Sequence, residues 1–409
     1  MIFKKGSKLL YLLAFSLFIL SALYGLLLRW NFTFPLVFVN YKHFLQSHSH
    51  VAFLGWGYLA TIGVLLSNFV EASAKHKKIY KITISIIVLT IILMLISFPL
   101  GGYKAFSIIV LSIFGLASYV LSYGFLKDIK GKSVAHKLIK YGIYYYILSS
   151  LATWFLAGVL VSQGKTDLYF NTVYFYLHFL YNGYFVFVLF GFLFKIFEKQ
   201  KIIISKKLQE NFFLYLNVAC IPAYALSILW STISSVFYVV GFAASILQLI
   251  SLFFLMKIVR QALPQLKWKS ISRLLLKFGL IAYLLKIVIQ IASAFPFIVE
   301  KSLALKPFFI IGYLHLFTLA FMSVFLFLIL AELKIIEFRN TISKIGIFTF
   351  LFGVFVTELV LFLQGFLFLN GFSPIENYNL LLLIFSFFMV FGLLFIFLNQ
   401  FKKQVIIIN

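Results

Sequence analysis

The sequence predicts an all-α, polytopic transmembrane bundle of about twelve helices with both termini in the cytoplasm, and three observations carry that expectation. First, 63% of the 409 residues are hydrophobic and only 11% are charged, whereas a soluble domain is about 45–50% apolar and roughly 25% charged. A soluble fold of this length must still face water with its own exterior, so the excess is explained if the solvent is lipid. Second, apolar stretches of about 20 residues, enough to cross a hydrocarbon core as a helix, follow one another end to end. The weak alternation over about 10 residues that marks a membrane β-barrel is absent. Third, the basic residues alternate between the two ends of these stretches.

The spans read as roughly 9–29, 47–70, 82–100, 105–126, 138–162, 168–194, 211–231, 234–256, 271–294, 306–331, 343–368 and 379–399. Turn chemistry separates them at Phe98-Pro99-Leu100-Gly101-Gly102, Ser162-Gln163-Gly164-Lys165 and Asn370-Gly371-Phe372-Ser373-Pro374. No break is long enough for a soluble domain, so residues 1–409 read as a single membrane domain, and no internal repeat stands out. The first apolar run, Leu9 to Leu28, is too long for a cleaved signal peptide and no small-residue cleavage site follows it.

Charge tests this segmentation. With the N-terminus inside, the inner segments hold Lys4, Lys5, Lys8 and the basic residues of 75–81, 127–140, 195–207, 257–277, 334–344 and 402–403. The outer segments hold Arg29, Lys42, Lys104, Lys165, Lys301 and Lys306. The count is 28 against 6, with Lys286 left inside a span, and positive residues collect on the cytoplasmic side. One missed or invented helix would scramble this ratio, so count and orientation support each other. The net charge of +25 does not point to nucleic acid, because it is dispersed between spans and forms no basic face. The single cysteine, Cys220, excludes an internal disulfide and a thiolate metal cluster.

An ionisable group within a span costs at least about 2.5–3.5 kcal/mol, which makes each a functional candidate. Span two opens with His48-Ser49-His50, span six carries His178 and Asn182, span nine Lys286 and Gln290, span ten His315, and span eleven Glu358 and Gln364. Spans two, six and ten run in the same direction, from outside to inside. His178 and His315 lie about ten residues from the outer end, some 15 Å deep at about 1.5 Å per residue; His50 lies nearer the boundary unless span two starts before Gln46. Neutral imidazole ligates haem iron, copper and zinc, and two histidines on facing helices can clamp a haem. On a helix, His48 and His50 point about 200° apart, so only one of them faces a given site. Against this, a single intramembrane histidine is commonly an interhelical hydrogen-bonding residue. Lys286 with Glu358 reads equally as a structural ion pair. His43 reads as a surface residue, His76 and His136 sit in basic loops without special signal, and Trp30 and Trp154 fit interface anchors.

The stretch Ser47-His48-Ser49-His50-Val51-Ala52-Phe53-Leu54-Gly55-Trp56, with His178-Phe179-Leu180-Tyr181-Asn182-Gly183 and Gly312-Tyr313-Leu314-His315-Leu316, resembles elements of bacterial membrane proteins grouped with subunit I of the haem-copper (cytochrome c) oxidases. The resemblance covers the whole chain as a helix pattern and three short motifs as sequence. It implies twelve helices with cytoplasmic ends, a low-spin haem ligand at His50 or His48, a second haem ligand at His315, and a copper ligand at His178. It also departs from the family. Tyr313 stands where the first histidine of a His-x-His pair is expected, and span seven lacks the adjacent pair of copper-ligating histidines. No cross-linked tyrosine is assignable, although Tyr174 and Tyr181 flank His178. The expectation is therefore a reduced relative in a bacterial cytoplasmic (inner) membrane, with haem as cofactor, copper lost, and other membrane subunits or a redox partner as neighbours. Its role would be electron transfer, gas sensing or assembly of a respiratory complex. The alternatives are a secondary transporter with a midplane site of Lys286, Glu358, Gln290 and Gln364, and a non-catalytic membrane scaffold.

Overall fold

The computed structural model describes residues 2–405 apart from residues 72, 76, 233, 304 and 339, which places His76 and Arg339 outside the described residues. Among the described residues there are helices and turns but no strands. Among the described residues eleven helices are long and apolar enough to cross a membrane: α1 (Lys8–Thr33), α2 (Tyr41–Asn68), α3 (Lys78–Gly101), α4 (Ala105–Asp128), α5 (Val134–Gln163), α6 (Asp167–Lys199), α8 (Ser235–Gln265), α9 (Ser270–Ala292), α10 (Pro307–Glu332), α11 (Thr341–Leu369) and α12 (Tyr378–Gln400). A twelfth crossing, α7, is the pair Lys206–Cys220 and Pro222–Ser231, bent by 46°. The chain is a multi-pass membrane protein. Large apolar side chains such as Leu89, Phe155, Phe348 and Phe391 remain exposed on the helices, as a lipid-facing surface requires.

The helices end where backbone chemistry tells them to. Gly102 and Gly164 take positive φ just past the ends of α3 and α5, a conformation glycine adopts at no steric cost. Asn40 caps α2 by accepting the His43 amide at 3.2 Å, and Asn340 caps α11 by accepting the Ser343 amide at 2.9 Å. The Asn40 cap extends α2 six residues beyond Ser47. That first part, Tyr41–His50, is polar, so hydropathy alone misses it.

The contacts gather into two compact units, Met1–Lys130 with Thr318–Asn409, and Gly131–Phe317. In the first unit, α11 and α12 meet backbone to backbone: a Cβ at Gly392 would come within 2.5 Å of the Phe350 amide nitrogen, the small-residue packing that drives helix association in lipid. Trp56 on α2 stacks on Phe18 of α1 at 4.9 Å and donates to Ser323 Oγ at 2.9 Å. At one end of this unit Lys77 pairs with Asp128 at 2.7 Å, and Tyr80 donates to the same carboxylate at 2.9 Å.

In the second unit, α6 is packed almost completely, with 94% of its apolar window buried. A Cβ at Gly183 would lie 2.5 Å from Tyr145 Cβ of α5, so glycine sets how closely α5 and α6 approach. Pro222 breaks α7. Proline offers no N–H to the carbonyl four residues earlier and its ring clashes with that turn, so the chain bends there and continues at a new angle.

Candidate ligand cavity and the buried polar residues

Three helices share an internal architecture. In α2, α6 and α10 a first α-helical stretch of 10, 12 and 10 residues ends on a histidine, His50, His178 and His315 in turn. A π-helical stretch of 8, 7 and 8 residues follows at once: Val51–Tyr58, Phe179–Phe185 and Leu316–Ser323. At five and six residues past the histidine stand Gly55-Trp56, Gly183-Tyr184 and Ala320-Phe321, a small residue followed by an aromatic. Windows of these helices are 72%, 94% and 78% buried, against 33–56% for the other unbroken spans. π-Helical stretches are rare and concentrate at functional sites. This recurrence is an internal repeat that apolar composition hides, because its signal is a spacing of three side chains in otherwise unlike sequence.

Each histidine has a definable chemistry. Because the segment is helical, His48 and His50 diverge. His48 turns to α1, where its Nδ1–H donates to the Ser21 carbonyl at 2.8 Å and Ser21 Oγ donates to the His48 carbonyl at 2.9 Å. Gly25 makes room for the ring, since a Cβ there would lie 2.8 Å from His48 Cε1. A backbone carbonyl on Nδ1 fixes the tautomer and leaves the lone pair on Nε2, the usual preparation of a ligating imidazole. His50 turns to α3 and stacks on Phe98 at 4.7 Å. Its Nδ1–H donates to the Gln46 carbonyl at 2.8 Å, and its Nε2 accepts the Tyr103 hydroxyl at 3.1 Å, so both nitrogens are engaged.

His178 is 3% exposed and answers the break in α7. Its Nε2–H donates to the Cys220 carbonyl at 2.8 Å. That carbonyl is released by the bend, because the Tyr224 amide it would meet in a continuous helix bonds to Ile221 instead. The Nδ1 lone pair then accepts Asn182 Nδ2 at 3.2 Å. Irregular backbone is tolerated at membrane depth where it is buried and re-satisfied in this way.

Beside these groups the second unit has a half-open cavity of about 260 Å³. His178, Asn182, Tyr181, Trp230, Gln290 and Tyr313 contribute to its wall, together with apolar side chains of α6, α7, α9 and α10. One helical turn below Gln290 on α9, Lys286 is 1% exposed; its Nζ donates to Gln248 Oε1 at 3.4 Å and lies 5.3 Å from the Tyr283 ring centre. In the first unit Glu358 is 7% exposed, and among the described residues neither of its carboxylate oxygens has a hydrogen-bond partner. Lys286 and Glu358 belong to different compact units. Gln364 accepts the Ile375 amide at 2.8 Å, which closes the turn after α11.

Sequence reasoning missed Cys220 as a backbone acceptor, Gln248 as the Lys286 partner, and Ser21 and Gly25 as the His48 cradle. The proline within span seven was the available signal for the first; the others arise only from packing. Among the described residues no group of three His, Cys, Asp or Glu side chains could hold a metal ion. Both His178 nitrogens are engaged, and Tyr313 stands in the cavity wall. With Nδ1 engaged by the Ser21 carbonyl, His48 presents the lone pair of Nε2. No family model and no curated protein sequence matches the chain.

Proposed function

We propose that this protein is a bacterial cytoplasmic-membrane subunit built on the plan of haem-copper oxidase subunit I, no longer reducing oxygen, and transferring electrons through one haem ligated by His48. The observation that carries this reading is the recurrence on α2, α6 and α10 of a histidine, a π-helical turn and a small–aromatic pair. Those are the three helices on which the family resemblance places ligands. The environment of His178 supports the loss of oxygen chemistry, since its imidazole is spent on a backbone carbonyl and an amide. The tautomer of His48 supports haem there in preference to His50. Oxygen uptake with an artificial electron donor and copper analysis test the loss directly. The proposal expects neither uptake nor copper in the purified protein. Stoichiometric copper with oxygen consumption would overturn it.

A second reading, solute transport, draws on one observation: the cavity is lined by a proline-broken helix, with a buried lysine one turn beneath, as in transporter midplane sites. Uptake assays on Lys286→Ala separate the two, because transport through this site requires the variant to lose it.

A further inference from the structure

Independently of that reading, we infer that the cavity in the second unit is a binding site for a small, neutral, ring-sized molecule that donates hydrogen bonds through hydroxyl groups. The argument begins with the relay that ends on Asn182. The Cys220 carbonyl can only accept, so His178 Nε2 must carry the proton and Nδ1 the lone pair. That lone pair demands a donor, which orients the Asn182 amide with Nδ2 towards His178 and Oδ1 away from it. Asn182 Oδ1 is left as a buried acceptor with no partner, on a residue only 8% exposed. An amide orientation is often ambiguous, but here the carbonyl at the head of the relay decides it.

A second acceptor stands in the same wall. Gln290 is 6% exposed, and among the described residues its Oε1 has no partner; its amide is held by no side-chain hydrogen bond and can turn its oxygen to a donor in the cavity. Leaving a buried acceptor unpaired costs about 1–3 kcal/mol, so two in one cavity define what its occupant must supply. An anion would meet two carbonyl oxygens. A cation would compete with the basic Lys286 side chain one turn below Gln290. A neutral hydroxyl donor meets neither penalty. The aromatic side chains Tyr181, Trp230 and Tyr313 in the wall favour a flat ring, and about 260 Å³ lies just below the roughly 300–1,000 Å³ typical of drug-sized ligands. A single ring therefore suits the space.

The test is calorimetric titration of the full-length, detergent-purified protein with resorcinol, a ring with two hydroxyl donors, and with 1,3-dimethoxybenzene, the same ring without donors. Resorcinol is expected to bind one to one and at least about tenfold tighter than the ether, the worth of one well-made hydrogen bond. Gln290→Met, close to Gln in volume but lacking the carbonyl, is expected to weaken resorcinol about tenfold and leave the ether unchanged. Asn182→Leu should do the same, with thermal unfolding reporting whether it folds; Gln290→Met decides the matter if it does not. Equal binding of both probes, no resorcinol binding at millimolar concentration (a cavity for water only), or unchanged affinity in Gln290→Met would each overturn the inference.

Discussion

His178 Nε2–H on α6 donates to the Cys220 carbonyl at 2.8 Å across the break in α7, so a defect in one helix is closed by the side chain of another. The most conspicuous intramembrane histidine of the sequence thereby acquires a structural duty, and its second nitrogen is committed to Asn182.

The pair predicts non-additivity. His178→Ala leaves a buried carbonyl unpaired and is expected to cost about 1–3 kcal/mol. Pro222→Ala permits a continuous α7 that satisfies the same carbonyl from within. The double variant is expected to be more stable than the sum of the single effects by at least about 0.5 kcal/mol, read from thermal unfolding in detergent. Strict additivity would show that the two residues are not coupled.

The π-helical segments make a steric prediction. Gly183→Ala places a Cβ 2.5 Å from Tyr145 Cβ, and overpacking of this kind costs about 1–3 kcal/mol. Gly158→Ala, on the same α5 as Tyr145, meets nothing within 4 Å and is expected to stay within about 0.5 kcal/mol of the parent. Comparable unfolding temperatures for the two variants would contradict the close α5–α6 approach.

Glu358 yields a prediction of opposite sign. A buried carboxyl without a hydrogen-bond partner among the described residues opposes folding, so Glu358→Leu is expected to leave stability unchanged or to raise it by about 1–3 kcal/mol, the cost of one unsatisfied buried polar group. A loss of similar size would reveal a polar partner that holds the carboxylate.

The extent of each span was legible because lipid imposes a length and a composition on every crossing, and the structure moves most boundaries by a few residues only. The start of α2 was not, since Tyr41 to His50 is polar and is held by a side-chain cap at Asn40, a local hydrogen bond that hydropathy does not register. The candidate polar residues were legible individually, because each is an exception within an apolar run. Their partners were not. Lys286 finds Gln248 across 38 positions of sequence, and Ser21 meets His48 through a backbone carbonyl, which any residue could supply. The repeat around His50, His178 and His315 was present as spacing, but three aligned side chains emerge only once the π-helical turns show which register to compare.

The proposed haem subunit is tested most directly by dithionite-reduced minus oxidised optical spectra of the purified parent, His48→Ala and His50→Ala proteins. The account predicts a sharp α-band in the parent that survives in His50→Ala, whose ring nitrogens are already engaged, and is lost in His48→Ala. A featureless parent spectrum, or a band lost in His50→Ala and kept in His48→Ala, would contradict it.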